Sequence, residues 1–138
     1  MLIEVELYQI VITDGLETQV IVLKEKLGER QLPIFIGVNE ARAIERKLKD
    51  VPVPRPLTHD LAIDLIQKLG GEVRRVVIND LRQETYFAML EIKQDGSVIE
   101  VDARPSDAVA LAVRSAVPIY VEEFVIDHTN KSTDIPKL

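Results

Sequence analysis

A chain of 138 residues with 46% hydrophobic and 29% charged residues has the composition of one folded domain, which excludes an intrinsically disordered protein. The absence of cysteine excludes disulfides, thiolate metal sites and thiol nucleophiles. The net charge of −6 argues against a protein that coats nucleic acid nonspecifically, because such binding depends on Lys and Arg neutralising phosphates. An enzyme with a local basic pocket is compatible with this charge.

The start of the chain and its hydropathy indicate a cytoplasmic protein. Glu4 and Glu6 interrupt the first residues, where a secretory signal needs basic residues followed by an unbroken apolar stretch. No run of about 18 apolar residues occurs, so we predict no transmembrane helix and no membrane partner.

The first half of the chain predicts three strands, a surface helix and a stiff connector. Alternating apolar residues and turn signals predict strands at residues 2–12, 18–25 and 32–36. Asn39 is the candidate N-cap of a helix on which Ala41, Ile44 and Leu48 form an apolar stripe. Three alternate prolines then predict a short extended connector.

The second half predicts a helix, three strands, a buried helix and a last strand. The first of these helices begins at Thr58 and ends at Gly70. The side chains that it is expected to bury are Leu61, Leu65, Ile66 and Leu69. Strands are predicted at residues 72–79, 85–93, 98–103 and 118–125. The stretch 106–116 is apolar on all sides, which predicts a central buried helix.

These elements predict an α+β fold with mixed or antiparallel sheets and three helices, in the order βββααβββαβ. We expect residues 1–127 to form a single domain, followed by a polar tail over residues 128–138. Two similar stretches, Arg55–Asp60 and Arg104–Asp107, suggest the hypothesis of a diverged internal duplication.

Polar residues are concentrated around the start of the buried helix. Asp102 and Arg104 are two positions apart at a strand end, so they project to the same face and can pair. Ser106 is a candidate cap, and Asp107 lies in the first turn, where the helix dipole favours a carboxylate. One interpretation is a cap with a salt bridge. The other is a site that holds a divalent cation and a phosphate together.

The stretch Arg55–Asp60 repeats this pattern and adds a histidine at a helix start. His59 could accept a proton or bind a metal through one nitrogen, or it could simply be satisfied by a nearby carbonyl or acid. The second histidine, His128, lies in the predicted tail and is expected to face solvent.

A third strand-to-helix junction at Gly37–Glu40 could add the carboxylate of Glu40, if all three helix starts share one edge of the sheet. The first helix also carries a basic face, which is either solvated or in contact with phosphate; its residues are Arg42, Arg46, Lys47 and Lys49. No GxGxxG, P-loop, GxSxG, HExxH or CxxC motif occurs. A nucleotide cofactor, serine-hydrolase chemistry and structural zinc therefore lack support.

The order of four motifs resembles the bifunctional nuclease family of bacteria and plants, long described as a domain of unknown function. The resemblance covers about residues 3–127 of the chain. Its motifs are Leu32–Ile34 with Ile36–Gly37 and Glu40–Ala41, Arg55–Leu61, Asp102–Ala108 with Leu111–Ala112 and Arg114, and Pro118–Val121. The resemblance implies degradation of both DNA and RNA, as described for some plant members.

The polar cluster and this resemblance together favour a phosphodiesterase that acts on DNA and RNA. His59, oriented by Asp60, would activate water or protonate the leaving oxygen. Arg104 and Asp107 complete the candidate catalytic set. Arg104 and Arg55 would neutralise the charge on the phosphorane-like phosphorus. The candidate ligands of Mg²⁺ or Mn²⁺ are Asp102, Asp107 and Glu40. The candidate substrate-binding residues are Arg55, Thr58, Ser106 and Arg114.

Two alternatives stay open at this point. The acidic chain could be a non-catalytic regulatory module that holds an anion or a protein partner at the same helix starts. The charged residues could instead lock two halves of the chain, or two subunits, together. Exposed strand edges indicate a homodimer in either case.

Overall fold

In the computed structural model, which describes residues 1–131, seven strands form one mixed sheet accompanied by four helices. The strands are β1 (Leu2–Val11), β2 (Thr18–Glu25), β3 (Gln31–Gly37), β4 (Gly71–Arg82), β5 (Thr85–Gln94), β6 (Ser97–Ala103) and β7 (Ile119–Glu122). The helices are α1 (Val38–Leu48), α2 (Thr58–Lys68), α3 (Pro105–Ser115) and α4 (Glu123–Lys131). The predicted α+β class is confirmed, and the prediction of three helices was one short.

The sheet joins two antiparallel meanders through one late strand. Its order is β3-β2-β1-β7-β4-β5-β6, and β7 pairs antiparallel with β1 and parallel with β4. Each meander is followed by a helix, α1 or α3, so the order βββα occurs twice. The similar Arg-Pro stretches do not follow this repeat, because Arg104 precedes α3 whereas Arg55 precedes α2.

The core lies between the sheet and the helices, with α3 at its centre. Residues 108–112 of α3 are all buried, which confirms the predicted central helix, and this helix begins one residue earlier than predicted. Pro105 occupies its first position, where the fixed φ of proline suits a helix start and its missing N–H costs nothing. On α1, Ala41 and Ile44 are fully buried as predicted, but Leu48 is exposed.

Helix α2 presents a different face to the core from the predicted one. Ala62, Ile63 and Ile66 pack against the core cluster, and only Ile66 was predicted to do so. The exposed members of the predicted set are Leu61, Leu65 and Leu69. The rotation of α2 follows from its polar first turn, where His59 and Asp60 contact α3, because His59 shares a helix face with Ala62, Ile63 and Ile66.

The end of the described chain also differs from the prediction, since the last strand stops at Glu122 and α4 follows. Val125 and Ile126 of α4 are fully buried, and the side chain of Asn130 hydrogen-bonds both backbone groups of Gln31. This short amphipathic helix was not predicted, because its polar residues are frequent and its apolar stripe is short. His128 is exposed on α4, as expected, and the rest of the predicted tail, residues 132–138, lies outside the described residues.

Within residues 1–131, no helix has the length and apolar character needed to cross a bilayer.

Candidate active site

The first turns of three helices meet at one cleft of about 800 Å³. Glu40 comes from α1, Thr58 and His59 come from α2, and Asp107 comes from α3. This convergence results from packing, because α3 lies against both α1 and α2. The N-terminal end of each helix carries a partial positive charge, so the cleft is favourable to anions.

The local sequence brings each of these side chains to its place without a side-chain cap. The N-cap residues are Gly37, Leu57 and Arg104, so the predicted caps Asn39 and Ser106 were wrong. At Gly37 the missing side chain matters, because a Cβ there would collide with the carboxylate of Glu40. Glu40 can therefore fold back over the end of β3.

His59 and Asp107 are in hydrogen-bonding contact in this cleft. Nε2 of His59 lies 3.0 Å from Oδ1 of Asp107, and the His59 side chain is only 14% exposed. An ionised carboxylate can only accept hydrogen bonds, so we assign the Nε2 proton to the histidine as the donor. The lone pair of a neutral ring then lies on Nδ1.

Arg104 joins this pair to the third helix. Its Nε donates to Oδ2 of Asp107 at 2.9 Å, and its Nη2 donates to Oε1 of Glu40 at 3.0 Å. The predicted partner of Arg104 was Asp102, but no ion pair forms between them. The Arg104 side chain remains 67% exposed, so it can also meet a ligand in the cleft.

These contacts fix the charge of Asp107. Burial opposes its ionisation, but hydrogen bonds from Arg104 and His59 outweigh burial and lower the pKa of Asp107 below the ordinary 3.8. The hydrogen bond that Arg104 donates to Asp107 also raises the pKa of Arg104, with a further contribution from Glu40. An ion pair and a histidine therefore share one carboxylate, both of whose oxygens are engaged.

Asp60 does not orient His59, which was its predicted role. Its Oδ1 accepts from Nε of Arg114 at 2.8 Å, and its Oδ2 accepts from the backbone N–H of Leu57 at 3.0 Å. Burial opposes the ionisation of Asp60, but these two hydrogen bonds prevail and lower its pKa. Nη2 of Arg114 also donates to the carbonyl of Ala43, so this arginine ties α3 to both α2 and α1.

A second cleft of about 460 Å³ adjoins the first across Pro56 and Leu57. Arg55 and Arg114, two of the predicted substrate-binding residues, line this second cleft and not the one beside His59. Arg46 lines both. The predicted site residues other than Ser106 and Asp102 are thus brought to two neighbouring clefts.

Two predicted residues lie outside both clefts. Ser106 is buried at the start of α3, where it lines a separate cavity with Tyr86. Asp102 is exposed on β6 and forms no ion pair with any of residues 1–131. The position of neither residue supports a contact with a ligand beside His59.

Comparison with known proteins decides the family. The Bifunctional nuclease domain model matches residues 21–134, which include both clefts. The chain belongs to the bifunctional nuclease domain family.

Relatives of this bifunctional nuclease domain occur in bacteria and plants. An uncharacterized protein of Mycobacterium tuberculosis (strain ATCC 25618 / H37Rv) is 50% identical over 107 residues, covering 78% of this chain and 63% of the relative. Bifunctional nuclease 2 of Arabidopsis thaliana is 34% identical over 109 residues, covering 76% of this chain and 33% of the plant protein. Bifunctional nuclease 2 of Oryza sativa subsp. japonica is 37% identical over 105 residues, with 73% and 32% covered. The chain therefore spans less than two thirds of the mycobacterial protein and about a third of these plant proteins.

The predicted metal ligands of this bifunctional nuclease domain do not converge. Among residues 1–131, no three His, Asp or Glu side chains are grouped so that they could hold a metal ion. Asp107 and Glu40 both line the His59 cleft, but each is hydrogen-bonded to Arg104, and Asp102 lies outside that cleft. The residues present do not fit a carboxylate site for Mg²⁺ or Mn²⁺.

The sequence reading named Arg46 only as part of a basic helix face and did not include it among the site residues. The available signal was the spacing of Arg42 and Arg46, which are four positions apart and therefore lie on one side of α1. Both line the His59 cleft. Which side of α1 faces the cleft depends on packing against α3, which the spacing does not reveal.

Proposed function

We propose that this chain is a nuclease that hydrolyses phosphodiester bonds of DNA and RNA in the His59 cleft. The observation that carries this proposal is the 3.0 Å contact between Nε2 of His59 and Oδ1 of Asp107. A histidine held by a carboxylate at one nitrogen presents a base at the other, as in the triads of hydrolases. Family membership and the printed names of the plant relatives support the substrate class.

In the proposed reaction, Nδ1 of His59 removes a proton from a water molecule whose oxygen attacks the phosphorus. The bond from phosphorus to the leaving sugar oxygen breaks with its electron pair, and the imidazolium returns its proton to that oxygen. The products are one phosphate monoester and one hydroxyl group. Asp107 stabilises the imidazolium, and the exposed guanidinium of Arg104 offsets the negative charge that develops on the phosphate oxygens.

Two further residues, one in the His59 cleft and one in the cleft beside it, have supporting roles in this proposal. Thr58 offers a hydroxyl group beside His59, where it could donate to a phosphate oxygen. Asp60 acts as a positioning residue, because it holds Arg114 and the first turn of α2.

The test is cleavage of labelled single-stranded DNA and RNA by the purified chain and by His59→Asn. The matched control is His128→Asn, since His128 is exposed on α4 away from both clefts. We expect cleavage of both substrates by the wild type and the control, and a loss of about 10²-fold or more in His59→Asn. Equal cleavage by His59→Asn would remove His59 from the mechanism.

A non-catalytic module that binds an anion is the second candidate function. Arg104 binds one oxygen of Asp107 and one of Glu40, and His59 contacts the other oxygen of Asp107. The acids are therefore neutralised, while the exposed side chain of Arg104 stays available to an anion, which favours this function. Salt-sensitive binding of an oligonucleotide that stays intact on prolonged incubation would support this function over the first.

The assistance of Mg²⁺ or Mn²⁺ stays a prediction, and no step of the reaction above depends on it. Its test is incubation with EDTA, followed by addition of each ion in excess. Cleavage that persists in EDTA would contradict a metal requirement. The cytoplasmic location likewise stays a prediction.

We also propose that the chain forms a homodimer through β6. Both β3 and β6 lie at edges of the sheet, but Pro33 interrupts the donors of β3 and Asn130 binds the backbone at its start. β6 contains no proline, and Val98, Ile99 and Val101 are all at least 41% exposed on it. An open edge with apolar side chains favours pairing with a second copy.

A further inference from the structure

The cleft next to the His59 cleft is lined by basic side chains from three parts of the fold. Arg46 and Lys47 come from the last turns of α1, Arg55 comes from the connector between α1 and α2, and Arg114 comes from the end of α3. A chain with a net charge of −6 thus collects four cations in one concave place. Three aspartates also line the cleft, so its lining has a small excess of positive charge in a chain that is negative overall, which favours an anionic ligand.

Two arginines that line this cleft each have a buried guanidinium N–H group without an acceptor among residues 1–131. Arg114 has a side chain that is only 7% exposed, and its Nη1 is buried without a hydrogen-bond partner among residues 1–131. Nε of Arg46 is likewise buried and has no hydrogen-bond partner among these residues. Buried donors are nearly always satisfied in folded proteins, and a donor left without an acceptor is unfavourable. Because Arg46 and Arg114 both line the cleft and both keep an unused donor, a ligand that brings acceptors is favoured there.

The acids of the same cleft do not supply these acceptors. Asp60 already accepts from Nε of Arg114 and from the backbone of Leu57. Asp50 and Asp64 also line the cleft, but neither forms an ion pair with a basic residue in the part of the chain that the structure describes. The cations Arg46 and Arg55 are likewise without carboxylate partners there.

The wall of the cleft is stiff, because Pro52, Pro54 and Pro56 alternate along the connector. Proline fixes φ and restricts the preceding residue, so Arg55 is held between two rigid neighbours. A site built in this way loses little conformational entropy when a ligand binds.

We propose that this cleft binds a phosphodiester group of a nucleic-acid strand, one that is not the group being cleaved. The inference rests on the proposed nuclease function and deepens it. Arg46 lines both clefts, so a strand that crosses Pro56 and Leu57 can place one phosphate at His59 and another at the guanidinium groups of Arg46, Arg55 and Arg114. Guanidinium groups match the geometry of phosphate oxygens, which supports this ligand over a carboxylate-bearing one.

The experiment measures the affinity of the full chain for a fluorescein-labelled single-stranded oligonucleotide at several salt concentrations. The variants are Arg46→Gln and Arg55→Gln, and the matched control is Arg74→Gln, because Arg74 is exposed on β4 and lines neither cleft. We expect each cleft variant to weaken binding roughly 10-fold and to lower the salt-dependence slope by about 0.7 per lost contact. Thermal melting of each variant checks that it is folded.

Two further probes identify the ligand. An oligonucleotide with neutral methylphosphonate linkages should bind poorly and should not respond to Arg46→Gln. Inorganic phosphate should bind far more weakly than the strand. Binding of inorganic phosphate that depends on Arg46, without binding of the oligonucleotide, would overturn the assignment to a nucleic-acid strand.

This experiment can fail separately from the proposed nuclease function. Unchanged affinity and unchanged salt slope in both cleft variants would overturn the second phosphate site, even if the wild type cleaves its substrate. Weaker binding in both variants, with no cleavage by the wild type, would support the site and overturn the nuclease. If both hold, Arg55→Gln should raise KM more than it lowers kcat, because Arg55 lines only the second cleft, away from the reacting phosphorus.

Discussion

Nε of Arg114 donates to Oδ1 of Asp60 at 2.8 Å, and this ion pair joins the last turn of α3 to the first turn of α2. The arginine is almost fully buried, whereas the aspartate is about one-third exposed. Solvent therefore screens the charge of the aspartate but hardly that of the arginine. Its contribution to stability should lie between that of a surface pair and that of a fully buried pair.

Asp60→Ala should destabilise the fold, because it leaves Arg114 without its carboxylate and removes the acceptor of the Leu57 N–H. We expect a loss of about 2 kcal/mol in the free energy of unfolding, seen as a decrease in Tm of roughly 5–10 °C. The control is Asp64→Ala on the exposed side of α2. Equal melting of the two variants would contradict a stabilising role for the Arg114 pair.

The stability of the fold should decrease in acid through Asp60 and Asp107. The pKa of each carboxyl is lowered from the ordinary 3.8, so the folded state holds the ionised form more firmly than the unfolded chain does. This contribution is complete above the unfolded pKa and is lost as pH falls through the lower folded pKa. Urea unfolding of the wild type and Asp107→Asn should therefore show a difference at neutral pH that shrinks from about pH 5 downward. A difference that grows toward acid would contradict this sign.

His59 and Asp107 should act as one unit in catalysis. Asp107→Asn removes the charge that stabilises the imidazolium, so we expect cleavage to fall by about 10²- to 10⁴-fold. Because both substitutions disable the same base, the double variant should lose little more than His59→Asn alone. Single-turnover rates of the wild type, both single variants and the double variant give this comparison. Multiplicative losses would indicate that the two residues work independently.

Pairing through β6 should make the chain dimeric in solution. Val101→Lys places a charge on the exposed edge, and an edge lysine opposes strand pairing. Light scattering coupled to size-exclusion chromatography should give a dimer for the wild type and a monomer for the variant. Leu27→Lys is the control, since Leu27 is fully exposed on a turn. A monomeric wild type would contradict the proposed interface.

The sequence predicted correctly the elements that are marked by a regular pattern of apolar residues. Helix α3 was predicted as the buried centre because residues 108–113 are apolar on every side, and burial follows from that alone. For α2, the three leucines predicted the buried face. The polar contacts that His59 and Asp60 make with α3 instead direct a different face of the helix toward the core. Such contacts join residues about fifty positions apart, which no local period encodes.

The same limit applies to the pairing of the site residues. The polar helix starts and their residue types were visible in the sequence, and three of these starts do meet. The partners were not visible, because spacing favoured Asp102 for Arg104 and Asp60 for His59. The packing of α3 against α1 and α2 provides Asp107 for both instead.

Strand β7 has only four residues, yet the two meanders meet nowhere else in the sheet. It is also the last strand to be synthesised, after all three helices that supply the His59 cleft. During translation, Glu40 follows the first meander along the chain and Arg104 follows the second, so both are synthesised before the strand that joins the two meanders. Since β7 pairs with both β1 and β4, we expect the cleft to be completed only after residues 119–122 are free to close the seam between the two meanders.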